Sequence, residues 1–261
     1  MELVYLQQIK YSGKPMLIIF IICMFGFLIG NGTEVLKDDF NREGKLYGSK
    51  TSDGKYVWSV FTVKVQQEFL TAEGRLNFNA AGGVMCINHE DMKCQDFDLA
   101  FDFTYLSQHY ARGLSVNYRI QGKHPNARLS DGGYTGGYVM HIERPSWAIL
   151  RVSLFKESLS QTKAETKLAE TIVEIGTRWN VTTKIRLHVE GNRHQIFVND
   201  EQEPTIDAMD KEYTTEGWWN IADGALTKRA IDNLIFSNLD LSDKSSSNET
   251  NNNSSNEKNE K

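Results

Sequence analysis

Between Phe97 and Tyr105 every second residue is aromatic or aliphatic. Phe97, Leu99, Phe101, Phe103 and Tyr105 fall on one side of an extended chain, and Asp98, Ala100, Asp102 and Thr104 on the other. A helix, with its period of 3.6, would scatter these apolar groups around its surface, so the stretch buries them together only as a strand. The rhythm recurs from Val57 to Leu239. Leu114, Val116, Tyr118 and Ile120 oppose Gly113, Ser115, Asn117 and Arg119; Tyr138, Met140 and Ile142 oppose Val139, His141 and Glu143; Leu150, Val152 and Leu154 oppose Arg151 and Ser153. Each such strand is expected to bury one face and wet the other. Ile185, Leu187 and Val189 alternate with polar residues, and Gly191-Asn192 then turns the chain into Ile196 and Val198, a hairpin signature. A last strand runs through Ile231, Leu234 and Phe236. The one passage with helical leanings, 161–170, is charged and reads as an exposed excursion between strands. Many strands without intervening helices predict an all-β sandwich of two antiparallel sheets.

The ends differ from this middle. Lys10 and Lys14 precede an unbroken apolar run, Met16 to Ile29, followed by the small residues Gly30 and Gly32, the order of a signal peptide. As a helix the run would span about 21 Å, short of the ~30 Å hydrocarbon core. The leader ahead of it is long for a signal, so two readings of 1–32 stand: a cleaved signal peptide of a secreted, periplasmic or envelope protein, or a retained membrane anchor. Residues 242–261 are Ser, Asn, Glu, Lys and Thr with one Asp-Lys pair at Asp243 and Lys244, and contain no apolar side chain to offset the entropy of ordering. The folded domain is therefore placed at 34–241, a length that sandwiches commonly use as one unit. A net charge of −5 with no basic stripe excludes a nucleic-acid partner. Cys86 and Cys94 fall in one strand-loop-strand passage, where export permits either a disulfide or two free thiols.

The order of landmarks narrows the fold. Asp38-Asp39-Phe40-Asn41-Arg42 opens the domain. Trp58, Gly74-Arg75-Leu76, Phe97-Asp98-Leu99, Arg112-Gly113-Leu114, Gly137 through Ile142, Trp179, Ile196 through Asp200 and Ile231-Asp232-Asn233-Leu234 follow. In this order they resemble the concanavalin A-like lectin/glucanase superfamily, and within it the 3-keto-disaccharide hydrolase domain and laminin-G-like modules of exported bacterial proteins. The resemblance implies a jelly-roll β-sandwich of two curved antiparallel sheets, with ligand on the outward side of the concave one. It also implies a place for a structural calcium ion near Asp39 and Asp232, while no His/Cys spacing suggests zinc and no other cofactor is called for. The departures concern chemistry. The hydrolase-like group typically has an acidic residue where this chain has Val139, and an arginine where it has Asn117, with Arg119 two residues later and, by alternation, on the same face. The Glu-x-Asp-x-x-Glu cluster of jelly-roll glucanases is absent.

On such a sheet Ser115, Asn117 and Arg119 lie beside His141 and Glu143, with Arg151 on the following strand. Hydroxyl, amide, guanidinium, imidazole and carboxylate groups suit a ligand rich in hydroxyls, although half-exposed strands also carry such residues as plain wet faces. Trp147, in a Pro145-Ser146-Trp147 turn, and the Trp218-Trp219 pair after Gly217 are candidate platforms for sugar rings. Trp58 and Trp179 are expected in the core, and one of Trp218 and Trp219 should pack inward, because neighbours on a strand face opposite ways. Glu143 and His141, two apart on one face, are the acid/base candidates for hydrolysis, against the simpler reading of a surface ion pair. The glycine-rich stretch 131–137 leads into a strand rather than a helix, which suits the rim of a cleft and not a phosphate cradle.

The expected function is an exported carbohydrate-binding, lectin-like module with a glycan or glycoside as its partner and no catalysis of its own. A glycoside hydrolase acting on 3-keto-disaccharides or related glycosides is the alternative, and an envelope adhesion or structural domain is a second.

Overall fold

The computed structural model describes residues 32–62, 69–78, 83–106, 113–126, 136–146, 148–158, 165–176, 180–223 and 228–240. The apolar run, the polar tail, Trp147, Trp179 and residues 131–135 lie outside these. Among the described residues sixteen strands form two antiparallel sheets. The nine-stranded sheet has the order β14 (Ile206–Met209), β13 (Arg193–Val198), β12 (Thr182–Glu190), β7 (Phe97–Tyr105), β16 (Arg229–Asn238), β5 (Arg75–Phe78), β4 (Phe69–Ala72) and β2 (Gly44–Lys45). β1 (Thr33–Asp38) also pairs with β16. The seven-stranded sheet has the order β11 (Thr166–Glu174), β10 (Ile149–Glu157), β9 (Gly137–Ser146), β8 (Leu114–Ile120), β15 (Trp218–Asp223), β6 (Gly83–Cys86) and β3 (Ser59–Thr62). The chain changes sheet after β2, β3, β5, β6, β7, β11, β14 and β15, which is the winding of a jelly roll.

The predicted inward faces meet between the sheets. Phe97, Leu99, Phe101 and Phe103 of β7, Val116 and Tyr118 of β8, Met140 and Ile142 of β9, and Val152 and Leu154 of β10 are all buried. Phe97 meets Tyr118 edge-on at 5.6 Å, and Trp219 stacks on Phe236 at 5.0 Å, each pair joining one sheet to the other. Full burial of such a side chain contributes about 1.5–3 kcal/mol. Trp58, as expected, is fully buried, and its indole nitrogen donates to Asp38 Oδ2 at 2.6 Å.

Three expectations need correction. The helix-leaning passage ends in a strand: residues 166–174 form β11, with Ser153 opposite Glu170 and Arg151 opposite Ile172. Thr171, Ile172 and Val173 favour an extended chain, and the alternation is masked by charge because β11 is an edge strand with little burial on either side.

Second, β8 is buried on both faces, not one. The segment that follows it folds back over the outward side, where Asn220 Nδ2 donates to the Pro125 carbonyl at 2.6 Å and the His124 ring meets Phe61 edge-on at 5.6 Å.

Third, Arg119 does not share a face with Ser115 and Asn117. Ile120 pairs with Trp218 and Asn117 with Asn220, so three steps on β8 match two on β15 and the extra residue makes a bulge. Arg119 takes a φ of 48°, which breaks the alternation. Its guanidinium turns to the nine-stranded sheet's end of the core, reaching the Gly191 carbonyl at 2.6 Å and the Gln95 carbonyl at 2.8 Å. Gly137 on β9 faces this bulge with a φ of 116°, and a Cβ there would stand 2.7 Å from the Tyr118 carbonyl oxygen, so only glycine fits.

Candidate functional site

Register on the outward face of the seven-stranded sheet brings four predicted site residues into one neighbourhood. His141 stands opposite Ser115 on β8 and Ser153 on β10, and Ser153 stands opposite Glu170 on β11. Ser115 Oγ lies 2.8 Å from His141 Nδ1, so one hydrogen bond fixes the ring between two strands. Ser153 donates to Glu170 Oε2 at 3.1 Å, and Lys167 donates to the same oxygen at 2.8 Å. The hydrogen bond from Lys167, followed by that from Ser153, holds the Glu170 carboxyl below the usual carboxylate range.

One row away, Glu143 lies opposite Arg151, with 3.5 Å between Arg151 Nη1 and Glu143 Oε2. Beyond them Ile172 is 55% exposed. On the other side of His141, the Phe155 ring stands edge-on to the imidazole at 5.2 Å, with the Lys167 ammonium 5.8 Å from its centroid. The open part of this face is thus the half formed by β9, β10 and β11, with an aromatic ring set among donors and acceptors.

The other predicted residues are placed elsewhere. Asn117 shares the face but is covered: it donates to Asn220 Oδ1 at 2.6 Å beneath the Pro125 segment, and both asparagines are buried. Arg119 belongs to the core. Trp218 and Trp219 are both buried, at 4% and 1% exposure, so the expected outward member of the pair does not reach the surface. Trp147 falls outside the described residues. Cys86 and Cys94 are free, buried thiols. Among the described residues no three His, Cys, Asp or Glu side chains are grouped to hold a metal ion.

His141 and Glu143 share a face; the imidazole is bonded to Ser115, and the Glu143 carboxylate faces Arg151. Glu143 and Glu170 sit two strands and two residues apart, a backbone separation of about 12 Å. Arg151 on one side, and Ser153 with Lys167 on the other, hold these two in place.

Phe155, Ser153, Lys167 and Glu170 were not singled out from the sequence. Phe155 was legible, since alternation that puts Leu150, Val152 and Leu154 inside leaves an aromatic residue on the wet side. Lys167 and Glu170 were hidden by the helical leaning of their segment.

No protein-family model matches the chain, and no curated protein is significantly similar to it in sequence. Solved structures are similar in shape. The carbohydrate-binding module CBM66 from Bacillus subtilis aligns at 19% identity over 69% of this chain and 94% of its own, with a TM-score of 0.50. LamA from Zobellia galactanivorans, in complex with laminaritriose and laminaritetraose, aligns at 12% identity over 78% and 98%, with a TM-score of 0.53. A non-specific endo-β-1,3(4)-glucanase of family GH16 aligns at 10% identity over 80% and 95%, also at 0.53.

The fold is concanavalin A-like. At these identities the likeness establishes the architecture alone, and function has to be argued from this chain's own face. In this concanavalin A-like sandwich the open polar half of the seven-stranded sheet presents His141, Glu143, Arg151, Lys167 and Phe155 as its chemistry.

Proposed function

We propose that the chain is an exported glycan-binding module that holds its ligand on the β9–β11 half of the seven-stranded sheet and performs no reaction on it. The observation that carries this reading is the Phe155 ring lying 5.2 Å from a His141 imidazole already fixed by Ser115. An apolar ring beside oriented donors and acceptors suits a sugar, whose C–H face packs on the ring while its hydroxyls take hydrogen bonds at the edge. Glu143 and Arg151 extend the polar edge on the neighbouring row. The carbohydrate-binding and glucan-bound proteins of the same fold favour a saccharide over other ligands, and the absence of the Glu-x-Asp-x-x-Glu cluster favours binding over cleavage. Export rests on the apolar run Met16 to Ile29 with its preceding lysines.

A panel of immobilised glycans and 3-keto-disaccharides, followed by calorimetry on each one bound, tests the reading. Phe155→Ala should weaken binding about tenfold, the effect of removing a central aromatic contact, with no product released by either protein. Turnover of any panel member that disappears in Glu143→Gln would replace the module by a hydrolase.

A further inference from the structure

The opposite surface of the sandwich carries a hollow that the site above does not use. On the outward face of the nine-stranded sheet, register sets five residues in a row across five strands. Lys37 of β1 stands opposite Ile235, Ile235 opposite Ala100, Ala100 opposite Arg186, and Arg186 opposite Phe197. Four strand spacings make the row about 19 Å long. Ala100 is the smallest side chain in it and sits at the centre between long neighbours, so the sheet sinks there. The resulting cavity measures about 460 Å³, within the roughly 300–1,000 Å³ of ligand-binding clefts.

Its walls are held in place before any ligand arrives. Arg186 is clamped by Asp98 through two hydrogen bonds, of 2.7 and 2.8 Å, and its guanidinium lies 5.1 Å from the centroid of Phe197. Lys184 is tied to Asp200 at 2.6 Å, and Asn233 donates to Asp102 at 2.8 Å. Ala100, Ile235 and Phe197 make an apolar floor, and the polar groups stand around it.

Three cations, Lys37, Lys184 and Arg186, face three carboxylates, Asp102, Asp200 and Glu201, so the lining sums to zero charge. Such a lining gives an ion no net attraction. It offers donors and acceptors in alternation above an apolar strip, which matches a ligand with hydroxyls at its edges and C–H groups on its faces.

The geometry points to a second glycan site in this trough, one that takes a neutral sugar chain. It is separated from the Phe155 face by the full thickness of the two sheets, about 10 Å between their midplanes, so a chain with both sites grips two saccharide strands on opposite sides. The trough stands on its own geometry, and only this bridging role rests on the proposed function of the other face.

The test uses the full chain with a panel of neutral and acidic glycans, and calorimetry on each neutral glycan bound. Ala100→Phe fills the trough, and Phe197→Ser removes part of its floor without adding bulk. Near-ultraviolet circular dichroism checks that both variants keep native packing, and Phe197→Ser carries the test alone if Ala100→Phe does not. At least one neutral glycan should lose about tenfold in affinity at one of its sites in the trough variants, and that site should still titrate in the Phe155→Ala background and be lost in the Phe155→Ala/Phe197→Ser double variant. Affinities unchanged in the trough variants, with losses confined to Phe155→Ala, would remove the second site and keep the first. Absence of any neutral glycan ligand would overturn the trough, and absence of any glycan at all would overturn both.

Discussion

Arg119 has no surface left in water, and its guanidinium satisfies acceptors from three separated segments: the Gln95 carbonyl and Asp96 carboxylate before β7, the Gly191 carbonyl in the β12–β13 turn, and the Tyr213 carbonyl after β14. Arg119→Leu leaves those groups buried without their donor, so a loss of about 3–5 kcal/mol is expected, read as a lower urea midpoint with an unchanged slope. Nothing in the spacing of β8 announces this role, because strict alternation put Arg119 on the wet side and the bulge that moves it depends on β15, a hundred residues away in sequence. The core histidine next to it makes a second prediction. His194 contacts the Tyr118 hydroxyl at 3.0 Å, and burial first, then the Arg119 guanidinium, hold its pKa down to about 4 from the ordinary 6.5. The unfolded chain therefore binds a proton that the folded one refuses, and stability is full above pH 6.5 and falls as pH drops toward 4. The difference amounts to about 3 kcal/mol. His194→Gln keeps a partner for Tyr118 and cannot titrate, so its urea midpoint should fall less between pH 7 and pH 4.5. Equal falls in both proteins would sink the assignment.

At the level of strands, the pairs that sequence rhythm made legible are those with one dry and one wet side: β7 and the β12–β13 hairpin around Gly191 lie where alternation put them, and β16 lies where its apolar residues put it, with a bulge between Asp232 and Ile235. Elements whose surroundings are unusual were not legible. β11 lies at an edge, where burial leaves too weak an imprint to compete with its run of charges, and β8 lies in the middle under a returning segment, where even asparagine is dry. Part of the candidate site was lost for the same reason, since Lys167 and Glu170 sit on β11 and Asn117 sits under Pro125. The contact between β8 and β9 depends on one residue that propensity would disfavour in a strand. Gly137 holds a φ that other residues avoid, against the carbonyls of both Tyr118 and Arg119. Gly137→Ala must either strain that backbone or push β9 off the bulge, and should cost more than the roughly 1–3 kcal/mol of a strained φ alone. Amide exchange at Tyr118 and Tyr138 should quicken, while exchange on β12 and β13 stays as in the parent protein. Faster exchange spread evenly over both sheets would show that the glycine serves general stability and not this local fit.

The jelly roll as a whole was legible from the order of its landmarks, because eight changes of sheet place each landmark against partners far away in the chain. The same winding leaves no seam along which one sheet can leave the other: opening either exposes the shared core of Tyr118, Phe97, Trp219 and Phe236. Two thiols report on this from different places. Cys86 ends β6 in the seven-stranded sheet, and Cys94 precedes β7 and exchanges backbone hydrogen bonds with Gly217, of 3.1 and 3.0 Å. Both are buried, and burial pushes the Cys86 thiol up to about 12 and the Cys94 thiol well above its usual value. A protonated, covered thiol does not attack a disulfide reagent, so labelling of either cysteine has to wait for the structure to open. If the sandwich unfolds as one cooperative unit, both sites gain reactivity with a common urea midpoint that coincides with loss of the far-ultraviolet β signal. Single-cysteine variants, Cys86→Ala and Cys94→Ala, assign the two rates separately. Labelling of Cys86 at a lower urea concentration than Cys94 would mean that the β6–β3 edge of the seven-stranded sheet opens before the contact between Cys94 and Gly217.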